Sequence, residues 1–87
     1  MTPAQARLRD WIAVAAGIDP SAIAPDTRLV AERILTSLMV LDLILFIEEL
    51  RGAPLDPAAI RPAAFQTIAA IATTFLGDSA LGEPAHG

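Results

Sequence analysis

At 87 residues the chain has room for one small domain, and at 54% hydrophobic against 18% charged it is too apolar to stay disordered. Its net charge of −4, from six Arg, no Lys, six Asp and four Glu, has the wrong sign for neutralising nucleic acid phosphates or for a basic helix on a membrane surface. There is no Cys and the one His is His86, which excludes disulfides, Cys-based zinc sites, a thiol nucleophile and a Ser-His or Cys-His pair.

The first element is predicted to be a helix. Thr2 is a good N-cap, Pro3 suits the first helical position, and Gln5 completes a capping box. The start has no apolar run after a basic patch, so no secretory leader is expected there. Leu8, Trp11, Ile12 and Ala15 follow at helical spacing, with Arg7, Arg9 and Asp10 on the other side. Gly17 and Pro20 stop the helix.

Residues 18–36 read as a long ordered loop. Ile18, Ile23, Leu29, Val30, Ile34 and Leu35 make it too apolar for a solvated linker, and a short helical turn is expected inside it.

The second helix is predicted over Ser37–Arg51, capped by Thr36 or Ser37 and closed by Gly52. Advancing about 100° per residue puts Met39, Val40, Leu43, Ile44, Phe46, Ile47 and Leu50 on one broad side, assigned to the core. Leu38, Leu41, Asp42, Leu45, Glu48 and Glu49 fall on the other. Asp42 breaks the strongly apolar stretch Leu38–Ile47, which is well short of the roughly 20 residues that span a bilayer.

Two one-turn elements are expected at 56–60 and 62–65, each with Pro at its first helical position. The phrase Asp-Pro-x-Ala-Ile occurs at 19–23 and again at 56–60, too short to count as a repeat. The last helix should start after Thr67 and end near Leu76, with Ile68, Ile71, Ala72, Phe75 and Leu76 as its apolar face. A helical unit over 1–76 and a flexible tail over 77–87 are the expected organisation. No segment alternates long enough for a strand. The expected fold is all-α: a small antiparallel four-helix bundle, three main helices plus a short one, with a long loop between helices one and two.

Asp42 with Glu48 or Glu49 looks like a carboxylate pair, but acids at helical spacing are usually a solvated face. Ser37 is more informative. It sits where the long loop meets a helix N-terminus, where free N–H groups and the helix dipole favour a phosphate. Taken locally, it can equally be an ordinary cap. Trp11, Phe46, Phe65 and Phe75 read as core, the Arg residues as scattered without forming a patch, and Arg33 and His86 receive no role.

The order of features narrows this. Thr27-x-Leu29, the loop, Ser37-Leu38, Asp42, Glu48-Glu49, Gly52 and then Phe65-x-Thr67-Ile68 together resemble the acyl and peptidyl carrier protein family over about residues 5–76. The resemblance implies that Ser37 receives phosphopantetheine from coenzyme A, through a separate magnesium-dependent phosphopantetheinyl transferase. It also implies that the thiol of the arm holds an acyl or aminoacyl group as a thioester, and that the chain is not itself an enzyme. Thr36 departs from the family pattern, which usually has Asp before the serine, and Met39 stands where many members are polar or acidic.

By the same resemblance, Leu38, Leu41 and Leu45, flanked by Asp42, Glu48 and Glu49, form the docking ridge. The expected partners are the transferase, an acyl- or aminoacyl-activating ligase, and downstream transferases or synthases acting in trans. The acids would orient the encounter and the leucines supply affinity. The other reading packs the leucines under the 18–36 loop. A monomeric, cytoplasmic carrier is expected. The alternative is an unmodified helical module of the same fold that docks a partner through the acidic second helix. Fatty acyl, polyketide, aminoacyl and short hydroxyacyl carriers share this scaffold, so the cargo is left open.

Overall fold

Residues 1–77 are described by the computed structural model, and each of its three α-helices begins on a threonine cap and ends on a glycine. Helix α1 spans Pro3–Ala16, α2 spans Ser37–Arg51 and α3 spans Ile68–Leu76. Among the described residues there is no strand. The protein is an all-α small helical bundle, as its helical periodicity predicts. The tail predicted as flexible lies outside the described residues from residue 78 onward.

The caps explain why these boundaries are sharp. Thr2 and Gln5 form the reciprocal capping box, with the Gln5 N–H donating to Thr2 Oγ1 and the Thr2 N–H to Gln5 Oε1, each at 3.2 Å. Thr36 accepts from Met39 N–H at 3.3 Å and Thr67 from Ala70 N–H at 3.0 Å. At the other end of α2, Gly52 adopts φ 68°, a left-handed conformation that side chains resist, and its N–H donates to Glu48 O at 2.9 Å. Arg51 in the last turn complements the helix dipole.

The core joins all three helices to the loops. Leu8 and Ile12 of α1, Leu43 and Ile47 of α2, and Ile68, Ile71, Ala72 and Phe75 of α3 are buried together with Ile23, Leu29, Leu35, Leu55 and Phe65. Burying an aliphatic side chain of this size contributes about 1.5–3 kcal/mol. Phe65 and Phe75 pack at 5.3 Å between ring centroids.

Three details differ from the sequence expectation. On α1 the buried alanine is Ala13, and Ala15 is exposed, because the core face centres on Gln5, Leu8 and Ile12. On α2 only Leu43 and Ile47 are buried; Met39, Val40, Ile44, Phe46 and Leu50 are half-buried at the margins of the core. Trp11 and Phe46 are likewise half-buried, and they stack on each other at 5.6 Å between ring centroids.

The connections are built from proline-initiated 3-10 turns at Pro20–Ala22, Pro57–Ala59 and Pro62–Phe65. Both Asp-Pro-x-Ala-Ile phrases make the same turn. Asp19 caps Ser21 N–H and Asp56 caps Ala58 N–H, and each closing Ile donates to its Pro carbonyl. Ile23 is buried, whereas Ile60 lies at the surface.

The long loop is tied to the segment entering α3. Ala69 N–H donates to Pro25 O at 3.0 Å, and Leu29 N–H donates to Gln66 O at 2.9 Å. Thr27 closes the intervening turn by accepting from Ala24 N–H at 2.8 Å. Ile34 and Leu35 N–H then both donate to Leu29 O, after Arg33 has turned the chain at φ 60°. These bonds fix the loop so that it delivers Thr36 and Ser37 to one place.

Candidate functional site

Two hydroxyl residues stand at the start of α2, and the structure divides their work. Thr36 is the cap, with extended backbone and its Oγ1 on Met39 N–H. Ser37 is the first helical residue. It is exposed, and its hydroxyl has no hydrogen-bond partner among the described residues. The alternative left by the sequence, that Ser37 is the cap, is therefore resolved in favour of Thr36. Because Thr36 does the capping, the Ser37 oxygen is left free for chemistry. There is no acidic residue in the first turn of α2, so no side chain of that turn opposes a phosphate at this helix end.

Ser37 borders an open groove with a cavity volume of about 870 Å³. The long loop forms one wall through Arg28, Val30 and Ala31. The segment leading into α3 forms the other through Ile60, Arg61 and Phe65, while Val40 of α2 and Leu35 lie along the base. The loop-to-α3 hydrogen bonds described above hold these walls together. Sequence reasoning missed this groove and treated the arginines as scattered. Arg28 and Arg61 in fact line the same cavity as Ser37, brought there from positions 33 residues apart in the chain. Only the tertiary bonds between loop and α3 reveal that proximity.

The outward side of α2 is as the helical arithmetic placed it. Leu38, Leu41 and Leu45 are 79%, 63% and 61% exposed, so they do not pack under the loop. Asp42 and Glu49 are exposed beside them. Glu48 is different. It is half-buried, and its Oε2 accepts from Leu55 N–H at 2.9 Å, which holds the chain after Gly52 against α2. Its carboxylate therefore has a structural partner that Asp42 and Glu49 lack.

Among the described residues no group of His, Asp or Glu is placed to hold a metal ion, and no helix is long and apolar enough to cross a membrane. The start of α2 thus presents an exposed, unpartnered serine at a helix N-terminus beside an open groove. The family described as phosphopantetheine attachment site matches residues 6–75, and the chain belongs to it. No curated protein and no solved structure matches the chain.

Membership makes the protein a non-catalytic carrier whose prosthetic group is covalently attached phosphopantetheine. Carriers of this kind work with transferases and synthetic enzymes. The residues fit the group: Ser37 supplies an exposed, unpartnered hydroxyl, and the neighbouring groove can accommodate a slender chain.

Proposed function

We propose that Ser37 is the attachment residue and that the chain carries an acyl or aminoacyl intermediate, which it presents to separate biosynthetic enzymes. The carrying observation is the division of labour at the start of α2: Thr36 caps the helix, and Ser37 remains exposed beside the groove. Modification forms a bond from the Ser37 oxygen to the pantetheine-side phosphorus of coenzyme A and breaks the pyrophosphate linkage there, releasing adenosine bisphosphate and the hydroxyl proton. The attached arm supplies the thiol on which the cargo is held.

The chain's own residues do the rest. The helix N-terminus favours the phosphodiester charge, and the groove offers the arm a resting place. Leu38, Leu41 and Leu45 form the contact for each enzyme in turn, and Asp42 and Glu49 orient it against basic residues of the partner. Glu48 adds charge to the same side while bound to Leu55. A small interface of this sort gives the short-lived complexes that a carrier visiting several enzymes requires. The reading extends to a monomeric carrier working in the cytoplasm.

The test is intact-protein mass after incubation with coenzyme A, magnesium and a promiscuous phosphopantetheinyl transferase. The wild type should gain one phosphopantetheine. Ser37→Ala should fold and gain none, and Thr36→Ala should lose about 1 kcal/mol of helix capping yet still accept the group. A folded wild type that stays unmodified with several transferases would instead favour an unmodified docking module of the same fold.

A further inference from the structure

The charge of the groove beside Ser37 runs against that of the chain. Overall the protein is acidic, at −4. The groove is lined by two guanidinium groups, Arg28 and Arg61, against one carboxylate, Asp26. Among the described residues the one ion pair is Arg9 with Asp10, on α1, so neither groove arginine is neutralised by a salt bridge. The arginines come from two segments, one from the long loop and one from the stretch before α3. The same cavity is lined by the apolar Val30, Ala31, Ile60 and Phe65, and by Gln66 and Thr67. The acids of α2 that are exposed for partners, Asp42 and Glu49, do not line this cavity.

We propose that this groove selects a carried acyl group bearing a free carboxylate, held between Arg28 and Arg61. The inference rests on Ser37 being the attachment residue and specifies the class of cargo. A guanidinium pair recognises a carboxylate by charge-assisted and potentially bidentate hydrogen bonds. The apolar walls accept the methylenes between that carboxylate and the arm. A neutral acyl group gains only the apolar contact. An aminoacyl group brings its ammonium towards two guanidiniums and has only Asp26 to meet it. The same guanidiniums can also meet the phosphodiester of the arm itself, so the experiment separates the two anions.

The full chain is loaded at Ser37 with coenzyme A analogues whose arm ends in a bare thiol or in amide-linked acetyl, glycyl or succinyl groups. Attachment is verified by mass. Backbone amides and Arg Nε signals are then compared by nitrogen-15 NMR. The succinyl arm should shift Arg28, Arg61 and the amides of Val30, Ala31 and Gln66 more than the other three do. Those extra shifts should vanish in Arg28→Gln/Arg61→Gln. In the wild type, the succinyl carboxylate followed by carbon-13 should titrate about half a unit or more below the same arm free in solution. That titration needs no variant, so it stands even if the double variant misfolds.

Equal shifts from the bare-thiol and succinyl arms would assign the arginines to the arm's phosphodiester and overturn the proposal. Equal shifts from acetyl and succinyl, or an unshifted carboxylate, would overturn it as well. Failure of the arm to attach is seen first, in the mass, and would remove the Ser37 reading and this one together.

Discussion

The inner and outer sides of α2 are made of the same kind of residue and have opposite fates. Leu43 and Ile47 are wholly buried, while Leu38, Leu41 and Leu45 on the same helix stand well out in solvent. Hydrophobicity alone does not separate the two sets; position around the helix does. A water-exposed line of three leucines serves nothing inside the fold, and it lies beside the exposed acids Asp42 and Glu49. The comparison teaches that one helix here gives one side to stability and leaves the other to solvent, and the proposed function gives that outer side its job, recognition, with Ser37 at the end where the two sides meet.

Breaking the inward side should have the largest effect. Leu43→Ala or Ile47→Ala removes volume from the closed core and should cost about 2–5 kcal/mol in chemical denaturation. A loss below about 1 kcal/mol would mean that this side of α2 is not the packed one.

The adjacent acids offer a finer division. Glu48→Ala strands Leu55 N–H in a partly buried position and should cost about 1 kcal/mol, with Glu48→Gln milder because it keeps an acceptor oxygen. Glu49→Ala should leave stability unchanged, since Glu49 is exposed and makes no comparable bond. Equal losses at both positions, read as denaturant midpoints, would erase the distinction drawn between them.

The smallest effect lies off α2. The Ser21 backbone N–H and, after it, the Ser21 hydroxyl hold the Asp19 carboxyl below the usual carboxylate range. A pKa lower in the folded than in the unfolded chain contributes stability above the unfolded value, lost as pH falls through the folded one. Asp19→Asn should therefore slightly lower the melting temperature near neutrality, with the difference from the wild type closing as pH falls below about 4. A difference that persists undiminished in acid would contradict this assignment.

Much of this architecture was legible in the sequence because its punctuation is local. Threonine caps, proline at first helical positions and glycine stops act within a few residues, so all three α-helices keep their predicted limits. The helical period likewise sorted Leu43 and Ile47 from Leu38, Leu41 and Leu45. What escaped was set by contacts between distant segments. The half-burial of Met39 and Ile44 depends on how far the distant segments of the core reach across α2. The bond from Glu48 to Leu55 depends on how the chain leaves Gly52. The meeting of Arg28 and Arg61 depends on the pairing of Leu29 with Gln66 and of Pro25 with Ala69, which no local spacing announces.

The most direct test of a helix with two separate jobs places one change on the outer ridge and reads both properties on the same sample. Leu41→Arg should keep the wild-type melting temperature, because the side chain is solvent-facing and Arg is a good helix former. Its rate of phosphopantetheine loading by the transferase should fall by about tenfold or more, because the substitution places a cation in the middle of the apolar contact. An unfolded variant, or a folded one loaded at the wild-type rate, would contradict the account.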